Sequence, residues 1–125
     1  MKEWSAKWKS SAQPRKQRKY RAKAPLHARQ KMMKSHLSKS LRKEYDKRSI
    51  GLRKGDEVIV MRGKHKKTAG KITDVDMKNL KVYVDNVKAK KVSGQEVQIG
   101  IDPSNIMITK ASLDDKKRIK ALKRK

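Results

Sequence analysis

The sequence predicts a small, mainly β protein: a five-stranded antiparallel barrel with a basic, partly helical N-terminal arm and a short C-terminal helix. Three observations predict it. Apolar and polar residues alternate over residues 80–85 and again over 96–101, the period of a half-buried strand. The densest apolar run, Val58 to Met61, is short and flanked by basic residues and glycines. Charge is divided unevenly: residues 1–50 hold 17 Lys/Arg and 3 acids, residues 51–110 hold 13 and 7, and residues 111–125 hold 7 and 2. A barrel over 51–110 is thus expected between a basic extension, 1–50, and a basic tail, 111–125.

The arm to about Ala24, with QPRKQRKYRAKAP at its centre, is basic nearly throughout and shows no apolar periodicity. It is expected to be extended and disordered alone, because it buries too little surface to offset its ordering entropy. Pro25 is placed to open a short helix, where its missing N–H costs nothing, with Leu26, Met32 and Met33 on the apolar side. Ser38 is placed to cap a second helix through Tyr45, with Leu37 and Leu41 inward.

In the barrel, the first strand is Val58–Met61, the second carries Ile72 and Val75, and the third carries Leu80, Val82 and Val84. The fourth carries Val97, Ile99 and Ile101. After the turn Asp102-Pro103-Ser104-Asn105, Ile106 and Ile108 make the fifth. Five short strands of this kind suit a small barrel. The expected core is Val58, Val60, Ile72, Val75, Leu80, Val82, Val84, Val97, Ile99, Ile106 and Ile108, small enough to be marginal without bound partners. In the tail, Ser112 and Asp115 form a capping-box pattern before a helix with Leu113, Ile119 and Leu122 available for docking.

A net charge of +25 in 125 residues, with 34% hydrophobic residues, excludes several classes. Self-repulsion on this scale calls for a polyanionic partner, and nucleic acid leads because Lys/Arg contacts release counterions from phosphates. There is no cysteine, so no disulfide framework and no thiolate metal site. His27, His36 and His65 lack metal-type spacing. No window reaches the roughly 18–20 apolar residues of a membrane span, and no signal-peptide pattern opens the chain. GKHKKT fails as a nucleotide loop, since glycines are missing where Met61 and Lys66 stand. No base–nucleophile pair is evident. The expectation is a non-enzymatic protein with no cofactor and no metal.

The loop after the first strand carries Arg62, Gly63, Lys64, His65, Lys66 and Lys67, with Gly70 and Lys71 beyond. Gly63 and Gly70 are expected to permit a tight reversal that uncovers backbone N–H groups, and the cations around them suit phosphate contacts. The stretch DEVIVMRGKHKKTAGKI, from Asp56 to Ile72, resembles the KOW motif. With the arm, APLHARQKMMKSHLSKSLRKEY, RSIGLRKGDEV, IDPSNIMITK and the basic tail, nearly the whole chain resembles the universal large-subunit ribosomal protein twenty-four family in its archaeal and eukaryotic form. The resemblance implies an SH3-like barrel and a structural role in the large ribosomal subunit. It also implies binding to large-subunit rRNA, help in subunit assembly, and a place near the exit of the peptide tunnel. By position, Gly63 and Gly70 match motif glycines, and Arg62, Lys64 and Lys71 match its basic flanks. Lys67 stands where the motif often has glycine. Because a side chain at positive φ is disfavoured, either a rearranged turn or a different backbone conformation at Lys67 is expected.

The expected RNA-binding residues are Arg15, Lys16, Arg18, Lys19, Tyr20, Arg21, Lys23 and Arg29 in the arm, with Arg53 and Lys54 before the first strand. Arg62, Gly63, Lys64, His65, Lys66, Lys67, Gly70 and Lys71 follow around the loop, and Lys88, Lys90 and Lys91 lie in a loop expected between the third and fourth strands. Trp4 and Trp8 are read as packing residues, and Tyr20 as a stacking or sugar-contacting one. Neighbouring large-subunit proteins are further expected partners, with the ribosome in the cytoplasm as location. Homo-oligomers and membranes are not expected. The alternative is a transcription elongation factor of the NusG type, which needs a folded apolar domain before the barrel; residues 1–50 are too basic for one. A cationic membrane-surface protein needs a long amphipathic helix, and the arm lacks it.

Overall fold

The first part of the arm, before Ala24, is helical where disorder was expected. In the computed structural model, which describes residues 3–124, a 3-10 turn spans Ala6–Ser10 and helix α1 spans Pro14–Lys23. Met1, Lys2 and Lys125, part of the predicted arm and tail, lie outside the described residues. Pro14 starts α1 with its φ already helical, and the Arg, Lys, Gln and Ala that follow are good helix formers. The helix stops at Ala24, whose extended backbone suits the residue before Pro25. No residue of α1 is buried, so its order rests on a few side-chain ties rather than on a core. Pro25 caps α2, Leu26–Met32, which begins one position after the predicted start.

Two short strands missed by the sequence reading follow. Strand β1, Lys34–Leu37, pairs antiparallel with β2, Ser49–Gly51, and parallel with a strand near the other end of the chain. Between them lies α3, Lys39–Tyr45, capped as expected: the Ser38 hydroxyl accepts from the Leu41 N–H at 3.4 Å.

The predicted strands are all present: β3 (Glu57–Val60), β4 (Ala69–Asp76), β5 (Lys81–Lys90), β6 (Glu96–Ile101) and β7 (Ile106–Lys110). They join one seven-stranded sheet in the order β2-β1-β7-β3-β4-β5-β6. The mainly β architecture holds, with helices at both ends of the chain. The five predicted strands do not close a barrel, because β6 ends the sheet and β7 pairs onward with β1. Register shifts between Ile72 and Asp74 and between Tyr83 and Lys88 curl the sheet around its core.

That core contains Val58, Val60, Ile72, Val82, Val84, Ile106 and Ile108, as expected, with Val75, Leu80 and Ile99 at its margin. Met33, Leu37, Leu52 and Val87 complete it. Val97 does not belong to it. Beyond the second register shift, β5 and β6 run out as a two-stranded ribbon whose residues are exposed on both faces. Lys88 and Lys90 therefore stand on strand β5 rather than in a loop, and only Lys91 opens the turn.

Helix α4, Lys116–Lys123, closes the fold. Its cap is Asp115, whose carboxylate accepts from the Lys117 N–H at 2.8 Å, and not Ser112. Leu122 is buried and Leu113 is exposed. Arg118 reaches from α4 into the interior and binds Asp56 bidentately, at 2.6 Å and 2.7 Å. Asp56 also accepts from the backbone N–H groups of Arg53 and Ser112, each at 2.9 Å. Arg118 donates further to the carbonyls of Ser112 and Gly51. Both side chains are almost wholly buried. A buried pair is tolerated only when its remaining hydrogen-bonding capacity is filled, and here nearly all of it is. This cluster ties the tail to the strands.

Candidate nucleic-acid interface

The loop between β3 and β4 is a compact, pinned turn. Lys67 N–H donates to the Val60 carbonyl at 2.8 Å, and Val60 N–H donates to Thr68 at 3.0 Å. Met61 N–H is fixed to the Asn105 carbonyl at 2.7 Å, tying the turn to the segment before β7. Among the described residues, the N–H groups of Arg62, Gly63, Lys64 and His65 donate to no protein acceptor. Gly63, at φ +95°, faces open space. Uncovered N–H groups beside the exposed side chains of Arg62, Lys64, Lys66 and Lys67 make a surface suited to phosphate oxygens.

Lys67 keeps the left-handed backbone, with φ at 70°. The lysine occupies the region that favours glycine and bears its strain, rather than adopting a different backbone conformation. Gly70 has a different role from the one expected. It lies on β4 opposite Val58, not in the turn. A Cβ there would meet the Asp85 carboxylate and stand 2.7 Å from a Val84 methyl group. The missing side chain lets Asp85 accept from the Lys71 N–H at 3.0 Å.

The second cationic surface is the arm. Arg15, Lys16, Arg18, Arg21 and Lys23 are exposed on α1 and have no ion-pair partner among the described residues. Lys19 lies over the Trp8 ring, 5.1 Å from its centre. Tyr20 stacks on Trp4 at 5.3 Å, and the Trp4 indole N–H donates to the Tyr20 carbonyl at 3.1 Å. The tryptophans thus pack within the arm itself. Arg29 is already engaged: its guanidinium donates to the carbonyls of Ala24 (2.8 Å), Ala22 (2.6 Å) and Lys78. It clamps the end of α1 to the β4–β5 turn. Arg18 and Arg21 come together there with Lys78 around a cleft of about 390 Å³. That cleft and the β3–β4 loop lie at opposite ends of β4, roughly 25 Å apart for a strand of this length.

Other candidates carry partners. Arg53 pairs with Asp115 at 2.5 Å, Lys54 with Asp74 at 2.7 Å and Lys88 with Glu96 at 3.5 Å. These pairs are exposed and weak, so a phosphate can compete for the cations. The hydrogen bond from Lys54, then the Val75 N–H, holds the Asp74 carboxyl below its ordinary range. The Lys117 N–H, then Arg53, does the same for Asp115. Lys90 and Lys91 are unpaired among the described residues. The sequence reading missed the cations of α4, Lys116, Lys117, Lys120 and Lys123, which are exposed. Their signal was the basic tail itself. It also missed Arg118 as a structural residue, because nothing in the local sequence separates it from its exposed neighbours.

Among the described residues no group of His, Asp and Glu is arranged to hold a metal, and no helix is long and apolar enough to cross a membrane. What the fold defines is a small scaffold carrying two cationic surfaces. The comparison with known proteins narrows the class. The profile of the family that comprises eukaryotic ribosomal protein L26 and its archaeal counterpart matches residues 11–125. The chain is 46% identical over 115 residues to large ribosomal subunit protein uL24 of Methanosphaera stadtmanae, covering 92% of this chain and 98% of that protein. It is 50% identical over 114 residues to the uL24 proteins of Methanosarcina barkeri and Methanothrix thermoacetophila, covering 91% of this chain and 98% of each relative. The chain belongs to this family of ribosomal proteins, and it is not an enzyme. The NusG-type alternative falls away.

Proposed function

We propose that the protein is a structural constituent of the large ribosomal subunit that binds large-subunit rRNA through phosphate and shape contacts, in the cytoplasm. One observation carries this reading beyond family membership. Every ion pair among the described residues lies between Arg53 and Arg118, and none involves the arm. The sheet's acids are matched internally, while the arm's cations are left for an external polyanion. Phosphate and shape contacts are favoured because an A-form major groove is too narrow for side chains to read.

Three parts divide the work. Residues 1–50 neutralise phosphates between RNA helices, residues 51–110 provide the mount and the β3–β4 loop contact, and residues 111–125 lock the mount and add a cationic helix. The protein acts as a single copy beside neighbouring large-subunit proteins. A contribution to early subunit assembly, near the peptide tunnel exit, accords with the family resemblance. Crosslinking in the native cell followed by RNA sequencing tests the reading. Crosslinks concentrated in large-subunit rRNA support it; crosslinks spread over messenger transcripts, or none to rRNA, overturn it.

A further inference from the structure

The first residues of the chain build something the family match does not include. The profile begins at residue 11, yet Trp4, Ala6 and Lys9 stand before it and fold back onto α1 and α2. With Tyr20, His27, Ala28, Lys31 and Met32 they line a cavity of about 360 Å³. Two of the chain's five aromatic residues meet there, although aromatics make up only 4% of the sequence. The Trp4–Tyr20 pair is stacked and locked by the indole hydrogen bond. His27 meets the Trp4 ring edge-on at 6.4 Å. Ala28 is buried, while Lys9 and Lys31 are exposed.

We propose that this pocket is a binding site for one unpaired nucleobase of RNA. The inference rests on the rRNA-binding reading and adds a base contact to it. A flat, apolar, polarisable ligand suits walls of indole, phenol, imidazole and thioether, as in proteins that bind unstacked bases. The cavity lies at the small end of the size range of ligand sites. Lys9 and Lys31 supply charge for the flanking phosphates. The rings are already ordered against each other, so a base entering beside them costs little further ordering.

Trp8→Phe leaves Trp4 as the sole indole of the full chain. In that background, a short single-stranded RNA is titrated while Trp4 fluorescence is followed, with inorganic polyphosphate of equal charge and an acidic peptide as parallel probes. The expected result is quenching by RNA and not by the other two. Trp4→Ala should weaken single-strand binding about tenfold and binding to a fully paired RNA duplex much less, while Trp4→Phe restores most of the loss. RNA binding with unaltered Trp4 emission, and with Trp4→Ala indistinguishable from the parent, overturns the pocket while leaving the rRNA reading intact. Equal quenching by polyphosphate reduces the site to a phosphate contact, and quenching by the acidic peptide assigns it to a protein partner; both overturn the proposal. Failure to bind either RNA sinks the rRNA reading and the pocket together.

Discussion

Around Asp56, a carboxylate, a guanidinium and neighbouring backbone groups satisfy one another inside the fold. Along α1, five cations face solvent with no acidic partner among the described residues. The two regions differ in composition and also in what their charges answer to. The sheet region matches its acids with its own cations and backbone. The arm holds its shape through a ring pair and the Arg29 clamp, and its cations have no internal acid to answer them among the described residues. On the proposed function, stability is expected from one region and RNA affinity largely from the other.

The largest effect should come from breaking the buried pair. Asp56→Ala, or Arg118→Ala, leaves an uncompensated buried charge and should cost about 3–5 kcal/mol in urea unfolding. A surface change on α1, such as Lys16→Gln, should stay within about 0.5 kcal/mol. Equal losses at the two places would erase the distinction drawn between the regions. Next, Gly70→Val forces a side chain against Val84 and the Asp85 carboxylate, and should cost about 1–3 kcal/mol. An unchanged midpoint would mean that β4 and β5 yield easily there.

A smaller effect, of opposite sign on two readouts, sharpens the comparison at the β3–β4 loop. Lys67→Gly relieves a left-handed side-chain residue, partly offset by a more flexible unfolded chain, and should raise stability by about 0.5–1 kcal/mol. It also removes a cation, so RNA affinity should fall as stability rises. The smallest effect is acid sensitivity at the start of α4. Asp115 has its folded pKa depressed, so its stabilising contribution is present above the unfolded value and is lost as pH falls through the folded one. Helical signal from α4 should weaken below about pH 4, and Asp115→Asn should flatten that change.

Much of the sheet was legible because alternation is a local signal. The spacing of Val82 and Val84, or of Ile106 and Ile108, marks one face of a strand whatever lies around it. Strands β1 and β2 were not legible: Lys-Ser-His-Leu and Ser-Ile-Gly are too short and polar to show a period, and form only because β7 offers a parallel partner to β1. Alternation also misled at Val97, whose strand continues past the end of the core. Helix α1 was missed because lack of burial was taken for lack of structure, whereas Trp4–Tyr20 and Arg29 hold it through contacts distant in sequence. At the candidate interface, the cations of the β3–β4 loop could be read from their order alone. The engagement of Arg29, Arg53, Lys54 and Lys88 could not, since each partner comes from another element.

The salt dependence of rRNA binding tests the central claim most directly, compared between the full chain and a variant lacking residues 1–24. The account predicts a steep fall in affinity for the full chain between about 50 and 200 mM salt. It predicts a shallower slope for the truncated one, reduced by about 0.7–0.9 for each phosphate contact removed, with the sheet still cooperatively folded. Identical slopes and affinities for the two chains would contradict it.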